Sequence, residues 1–202
     1  MLNLHKQFYI QKKDGIKYPG LHFNLNANET VIGTIQENEA YTKKAKNRFW
    51  KLISSLLLNA PKRIVIESLR LDILDIEDTL LGYIHKGVGL NKDLLVHNAA
   101  GEHIATVQSN VKMKAPSIQI LNASGDSILH ATSSYGATDF TITTASEFVA
   151  SIKKRSLVYE TIKDTLFNYD VYYVHQPNQD VTLTLILIAT TVAVDLHFFA
   201  GE

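Results

Sequence analysis

Most of the chain alternates polar with apolar residues at a period of two, which predicts β-strands with one buried face. The alternation recurs in short runs between residues 8 and 174, and turn-forming residues separate the runs. Two of these turns have nearly the same sequence, NAAGE at residues 98–102 and NASGD at residues 122–126. In both, glycine can take the left-handed backbone conformation and asparagine can bond its own backbone. Short hairpins at such regular spacing predict an antiparallel sandwich or barrel.

One stretch near residues 40–58 breaks this period and predicts an amphipathic helix. Its apolar residues recur at steps of three and four, and it ends before Pro61. Its other face is basic, and no acidic residue occurs between positions 40 and 66. The basic residues are Lys43, Lys44, Lys46, Arg48 and Lys51, with Phe49 and Trp50 where the two faces meet.

A second exception is the segment of residues 181–200, VTLTLILIATTVAVDLHFFA, which holds no charge before Asp195. A membrane-spanning helix needs about twenty apolar residues, which this segment nearly provides. Its many Val, Ile and Thr residues favour buried strands instead. The third interpretation is a helix that is apolar on all sides, capped by Asp180 and buried inside the protein. The pattern leaves all three open. If Asp195 is buried, its carboxylate needs a hydrogen-bonding partner, and we expect it to anchor the end of the segment.

Composition narrows the classes of function. The 202 residues contain no Pro/Gly/Ser-rich linker, so we predict a single domain over residues 1–202. Twenty basic and twenty acidic residues cancel, which removes the general electrostatic case for a nucleic-acid partner and leaves only local basic surfaces. The absence of cysteine excludes disulfides and thiolate metal sites. The first residues contain no apolar run typical of a secretory signal, so the expected location is the cytoplasm.

The order of elements resembles the tubby C-terminal-like superfamily, which includes tubby domains, LURP-one-related proteins and phospholipid scramblases. The resemblance rests on the paired turns at residues 98–102 and 122–126, the tyrosine-rich residues 169–173, and the ending at residues 180–195. Small bacterial-type members are the most similar. The resemblance implies a mainly β fold, a closed antiparallel barrel of about twelve strands around a central hydrophobic C-terminal helix. It therefore favours the buried helix for residues 181–200.

The resemblance also implies a non-enzymatic module that binds anionic lipid headgroups at a membrane surface, because tubby domains bind phosphoinositides through basic residues. Those residues cannot be aligned with this chain. Here the basic stretch near residues 40–58 has the composition of a segment that lies on an anionic membrane, although an ordinary surface helix packed on the barrel has it too. A second basic cluster contains Lys153, Lys154 and Arg155, which either line the same lipid-binding site or form a charged strand end.

The expected place of such a module is the cytoplasm, on the inner face of the membrane. Two alternatives stay open. One is a soluble scaffold of the same fold that binds a protein partner. The other is a membrane protein anchored by residues 181–199.

The remaining polar groups predict no metal, cofactor or catalytic site. The acidic stretch that includes Asp75, Glu77 and Asp78 lacks the glycine of a calcium-binding loop, so we interpret it as a solvated turn. His97 and His103 flank one turn and can meet across a hairpin, but no third ligand shares their spacing. No nucleophile elbow, phosphate-binding loop or paired-carboxylate signature is present, so we expect no enzyme.

Overall fold

The computed structural model describes residues 5–13, 20–44, 68–87, 93–110, 116–133, 136–156 and 170–199, which form a closed antiparallel barrel around a C-terminal helix. Each strand pairs with its neighbours in sequence, and the first strand pairs with the last to close the barrel. The predicted mainly β fold of about twelve strands is therefore confirmed. The strands are β1 (Gln7–Lys12), β2 (His22–Ala27), β3 (Thr30–Glu37), β4 (Leu69–Asp75), β5 (Leu80–Lys86), β6 (Leu94–Asn98), β7 (His103–Asn110), β8 (Ser117–Asn122), β9 (Ser127–Ser133), β10 (Asp139–Thr143), β11 (Phe148–Ser156) and β12 (Asp170–His175).

The two similar turns have the same hydrogen bonds. The backbone N–H of Asn98 donates to the carbonyl of Glu102 at 3.0 Å, and that of Asn122 donates to the carbonyl of Asp126 at 2.9 Å. Each asparagine side chain also accepts the N–H of the acidic residue at 2.9 Å. The intervening glycines have φ of 85° and 90°, which only glycine adopts without strain. The local sequence therefore specifies both turns without help from the rest of the fold.

The apolar C-terminal segment forms the helix α2 (Val181–Val194), and a π-helical turn follows it at Asp195–Phe199. Its N-cap is Asp180, as predicted, because the Asp180 carboxylate accepts the N–H of Leu183 at 2.7 Å. Every residue from position 184 to 194 is buried. The helix is therefore apolar on all sides because the barrel surrounds it on all sides.

Threonine hydroxyls inside the helix are satisfied by its own backbone. Thr184, Thr190 and Thr191 each donate to the carbonyl four residues earlier, at 2.7, 2.8 and 2.9 Å. The strand propensity of these residues is thus overridden, since the helix satisfies these three hydroxyls and its internal backbone groups without a sheet partner.

At two glycines, a backbone carbonyl of the neighbouring strand lies where a side chain would otherwise begin. A Cβ atom on Gly82 would lie 2.5 Å from the carbonyl oxygen of His97 and 3.1 Å from Leu185 of α2. A Cβ on Gly33 would clash with the carbonyl oxygen of Leu74.

In the part of the chain that the structure describes, one helical segment, Val181–Phe199, is long and apolar enough to cross a membrane. Of its most apolar 18 residues, 72% are buried inside the protein. The amphipathic helix predicted near residues 40–58 is described only at its beginning, as α1 (Glu39–Lys44), and residues 45–58 lie outside the described part of the chain.

Candidate functional site

The two ends of the barrel differ in the length of the connections between strands. At one end, here called the tight-turn end, the turns after β2, β4, β6, β8 and β10 have two to four residues. At the opposite end, the long-connection end, the connections after β1, β3, β5, β7, β9 and β11 have five to 31 residues. Helix α2 starts at the tight-turn end and runs towards the long-connection end. Because binding residues often lie on long connections held by a rigid scaffold, we expect a functional site at the long-connection end.

The tight-turn end has an excess of acidic residues. Eight acidic residues and one basic residue, Lys6, lie in or directly beside the turns of the tight-turn end. Since the whole chain has twenty of each, the other 19 basic residues and 12 acidic residues belong to the rest of the chain. The acidic residues of the tight-turn end are Glu29, Asp75, Glu77, Asp78, Glu102, Asp126, Glu147 and Asp180.

The first predicted basic cluster follows strand β3 at the long-connection end. Helix α1 starts after Asn38, whose side-chain oxygen accepts the N–H of Tyr41 at 3.1 Å and whose amide donates to Asp72 at 2.8 Å. Tyr41 fixes the helix further through a 2.7 Å hydrogen bond between its hydroxyl and His85. Lys43 and Lys44 are the last residues of α1. The other predicted lipid-binding residues of this cluster, Lys46, Arg48, Phe49, Trp50 and Lys51, lie outside the described residues.

The second predicted cluster lies on β11, where Arg155 is beside the long-connection end and Lys153 is opposite Tyr173 in the middle of the barrel wall, and its members point in different directions. Lys153 and Arg155 face outward, and Arg155 pairs with Asp139 at 2.9 Å. Lys154 faces the barrel interior, where it is 9% exposed and its ammonium lies 3.4 Å from the centre of the Phe199 ring. Successive residues of a strand alternate between faces, so Lys154 does not belong to the outer surface on which Lys153 and Arg155 lie.

A buried ion pair joins the end of the C-terminal helix to the barrel. Asp195 is fully buried, and its two carboxylate oxygens accept from the Lys12 ammonium at 3.0 Å and from the Tyr172 hydroxyl at 2.8 Å. Lys12 lies on β1 and Tyr172 on the adjacent β12. The expectation that a buried Asp195 would find a partner is confirmed, and we call these three residues the Asp195 clasp.

Two further charged or titratable groups lie near this end of the interior. Lys86 is 1% exposed at the end of β5. Both ring nitrogens of His197 are buried without a hydrogen-bond partner among the described residues. The pKa of His197 is lowered to about 4. Burial is the largest cause, the positive charge of Lys86 also lowers the pKa, and the negative charge of Asp93 raises it. His197 is therefore neutral at pH 7.

These inward lysines were missed from sequence, although the strand pattern carries a signal for them. Lys12 continues the face of Phe8 and Ile10 on β1, and Lys86 continues the face of Ile84 on β5. A lysine that extends a buried face by two residues can place its ammonium at the end of the barrel interior. An ammonium group at this end of the interior also lies near the C-terminal end of α2, where the helix dipole is negative.

The acidic residues lie in and beside the turn between β4 and β5, and His97 and His103 are paired across β6 and β7. The Asp75 carboxylate accepts the N–H groups of Glu77 and Thr79 at 2.9 and 3.0 Å, so it stabilises its own turn. The rings of His97 and His103 meet across the hairpin with centroids 5.4 Å apart. Burial, followed by the nearby charge of His103, lowers the pKa of His97. Among the described residues, no three His, Asp or Glu side chains are arranged to hold a metal ion.

A scan of the chain against protein-family models finds no matching family, and a search of curated proteins finds no significantly similar sequence. The resemblance to the tubby C-terminal-like superfamily therefore stays a prediction.

Proposed function

We propose that this protein is a non-enzymatic, tubby-like module that binds anionic lipid headgroups at the inner, cytoplasmic face of a membrane through its long-connection end. The observation that carries the proposal is the unequal distribution of charge along the barrel, with eight acidic residues and one basic residue at the tight-turn end. An anionic surface repels the acidic end and attracts the opposite end. A chain of zero net charge can thus bind such a surface in one orientation.

The outward residues of β11 suit this role. Lys153 is exposed, and a basic residue near an anionic membrane contributes about 1 kcal/mol of attraction. The ion pair of Arg155 with Asp139 is exposed, with side-chain exposures of 49% and 44%, so its loss costs little. Arg155 can therefore exchange its carboxylate partner for a lipid phosphate at small cost.

The position of α2 favours a peripheral association. The helix fills the barrel, and the Asp195 clasp holds its C-terminal end. To act as an anchor, the helix would have to leave the barrel and expose both the barrel interior and a buried carboxylate. That rearrangement costs far more than the electrostatic attraction to a membrane surface.

Liposome co-sedimentation with a matched pair of variants tests the proposed orientation. Arg155→Glu beside the long-connection end and Lys6→Glu at the tight-turn end change the net charge equally, and both positions are exposed. Reversal of one basic charge near the membrane removes about 2 kcal/mol, so Arg155→Glu should weaken binding to phosphatidylserine-containing vesicles about 30-fold. Lys6→Glu should leave binding almost unchanged.

Salt and lipid composition provide the remaining controls. Binding should fall at high salt and should be absent on phosphatidylcholine vesicles. Equal partitioning onto neutral vesicles, or equal losses from the two variants, would contradict the proposal. Trp50 is the only tryptophan, so a change in its fluorescence on anionic vesicles would place the predicted basic segment at the lipid surface.

A further inference from the structure

A groove of about 530 Å³ crosses the outer face of the barrel over β11, β12 and β1. Its volume lies within the range of small-molecule sites. The groove shares no lining residue with the Asp195 clasp. Its lining includes Gln7, Tyr9, Glu29, Ser151, Lys153, Tyr173 and His175.

Aromatic rings form a strip of two ring pairs along this face. Tyr9 and Tyr173 are paired across β1 and β12, with ring centroids 5.7 Å apart. His175 lies two residues beyond Tyr173 on the same face, and its ring stacks with Phe148 at 6.4 Å. Tyr173 is 44% exposed and Phe148 is 50% exposed. The strip therefore offers accessible ring surface to a ligand.

The polar groups beside the strip can both donate and accept hydrogen bonds. Gln7 offers an amide, Ser151 a hydroxyl and His175 an imidazole. Lys153 and Glu29 add one charge of each sign, so the charged groups of the lining cancel. Glu29 lies in the two-residue turn after β2 with φ of 64°, a conformation that costs free energy for a residue other than glycine and fixes where the side chain starts.

We propose that this groove binds a neutral carbohydrate of one or two sugar rings. The apolar face of a pyranose carries C–H groups that pack on the electron-rich faces of Tyr9 and Tyr173. Its hydroxyls need nearby groups that both donate and accept, and the amide, hydroxyl, carboxylate and ammonium groups of the lining provide them. A phosphate would face the Glu29 carboxylate with Lys153 as the one cation of the lining. An acyl chain would leave those polar groups without hydrogen bonds, which is costly.

Saturation-transfer-difference NMR on the full chain tests this assignment with glucose, maltose, cellobiose, lactose and N,N′-diacetylchitobiose as probes. At least one sugar should receive saturation, strongest at its ring C–H protons. Tyr173→Ala should lower the affinity for that sugar about fivefold or more, the effect of one lost ring contact. Tyr173→Phe keeps the ring and should retain most of the binding.

Ile76→Ala is the matched control because Ile76 is 70% exposed and lies in the turn after β4, away from the groove. It should leave sugar binding unchanged. Circular dichroism and thermal unfolding of Tyr173→Ala should match those of the parent chain, since the side chain is partly exposed. No saturation transfer to any of the five sugars would overturn the assignment, as would equal transfer to the Tyr173→Ala and parent proteins. Lipid sedimentation should be the same for Tyr173→Ala and the parent, so this test is independent of the proposed membrane function.

Discussion

The Asp195 clasp gives the sharpest prediction about stability, through the substitution Asp195→Leu. The change removes a fully buried carboxylate together with its contacts to the ammonium of Lys12 and the hydroxyl of Tyr172. The side chain of Lys12 is 17% exposed, so water can replace only part of the lost interaction. We expect Asp195→Leu to lower the free energy of unfolding substantially.

Its magnitude follows from the two lost contacts. Removal of one partner from a buried ion pair costs about 3–5 kcal/mol, and partial exposure of Lys12 places this pair near the lower value. A loss of about 3 kcal/mol in a chain of this length lowers Tm by roughly 6–12 °C. Lys12→Met should cost a similar amount, because it removes the ammonium that is paired with the buried Asp195 carboxylate. The double variant should recover most of the loss, since both charges are then replaced by apolar groups.

Urea unfolding followed by circular dichroism at pH 7 measures these differences, and Asp139→Leu is the control. Asp139 forms an ion pair with Arg155 at 2.9 Å, but both side chains are about half exposed, so its removal should cost at most about 1 kcal/mol. If Asp195→Leu costs no more than Asp139→Leu, the clasp does not stabilise the helix end and the argument is wrong. Additive losses in the double variant would show that Lys12 and Asp195 do not interact in solution.

Two further predictions concern acid sensitivity and packing. The pKa of His197 is lowered from 6.5 to about 4, so between these values the unfolded chain binds a proton that the folded chain does not. The contribution of neutral His197 to the free energy of unfolding is therefore complete above pH 6.5 and is lost as pH falls towards 4, by up to about 3 kcal/mol. His197→Leu should flatten this part of a stability-versus-pH curve. The control His130→Gln, at an exposed site, should not. Gly82→Ala should lower the free energy of unfolding in urea by about 1–3 kcal/mol, because the new Cβ meets His97 and α2. Gly87→Ala should change it by under about 1 kcal/mol, because no atom lies within 4 Å of the new Cβ. Equal effects of the two substitutions would refute the packing argument.

The hairpins could be predicted because the information for them is local. The turns that start at Asn98 and Asn122 need an asparagine side chain, a glycine at positive φ and an acidic residue within five positions, and the structure has the expected hydrogen bonds in both. The Asp180 cap is likewise a contact between neighbours in sequence. Such contacts depend on a few adjacent residues, so a single sequence suffices to find them.

The placement of polar groups at the candidate site could be predicted only in part. Basic clusters at residues 43–51 and 153–155 were visible in the sequence, but the placement of Lys43 and Lys44 at the same end of the barrel as the last residues of β11 follows from the order of the strands. The direction of Lys154 follows from the phase of β11, and the partners of Asp195 are 183 and 23 residues away in sequence. Pairs so distant leave no local pattern.

By itself, the sequence determined the alternation of short strands, the turns between them, the cap of the last helix and the absence of net charge. Only the tertiary structure decided that residues 181–199 are a helix inside the barrel, because a segment that is apolar on every side has no periodicity to separate helix from strand. It alone also brought eight acidic residues together at the tight-turn end, since a net charge of zero is the same for mixed and for segregated charges. Both outcomes depend on which distant segments become neighbours, and closure of the sheet fixes those neighbours.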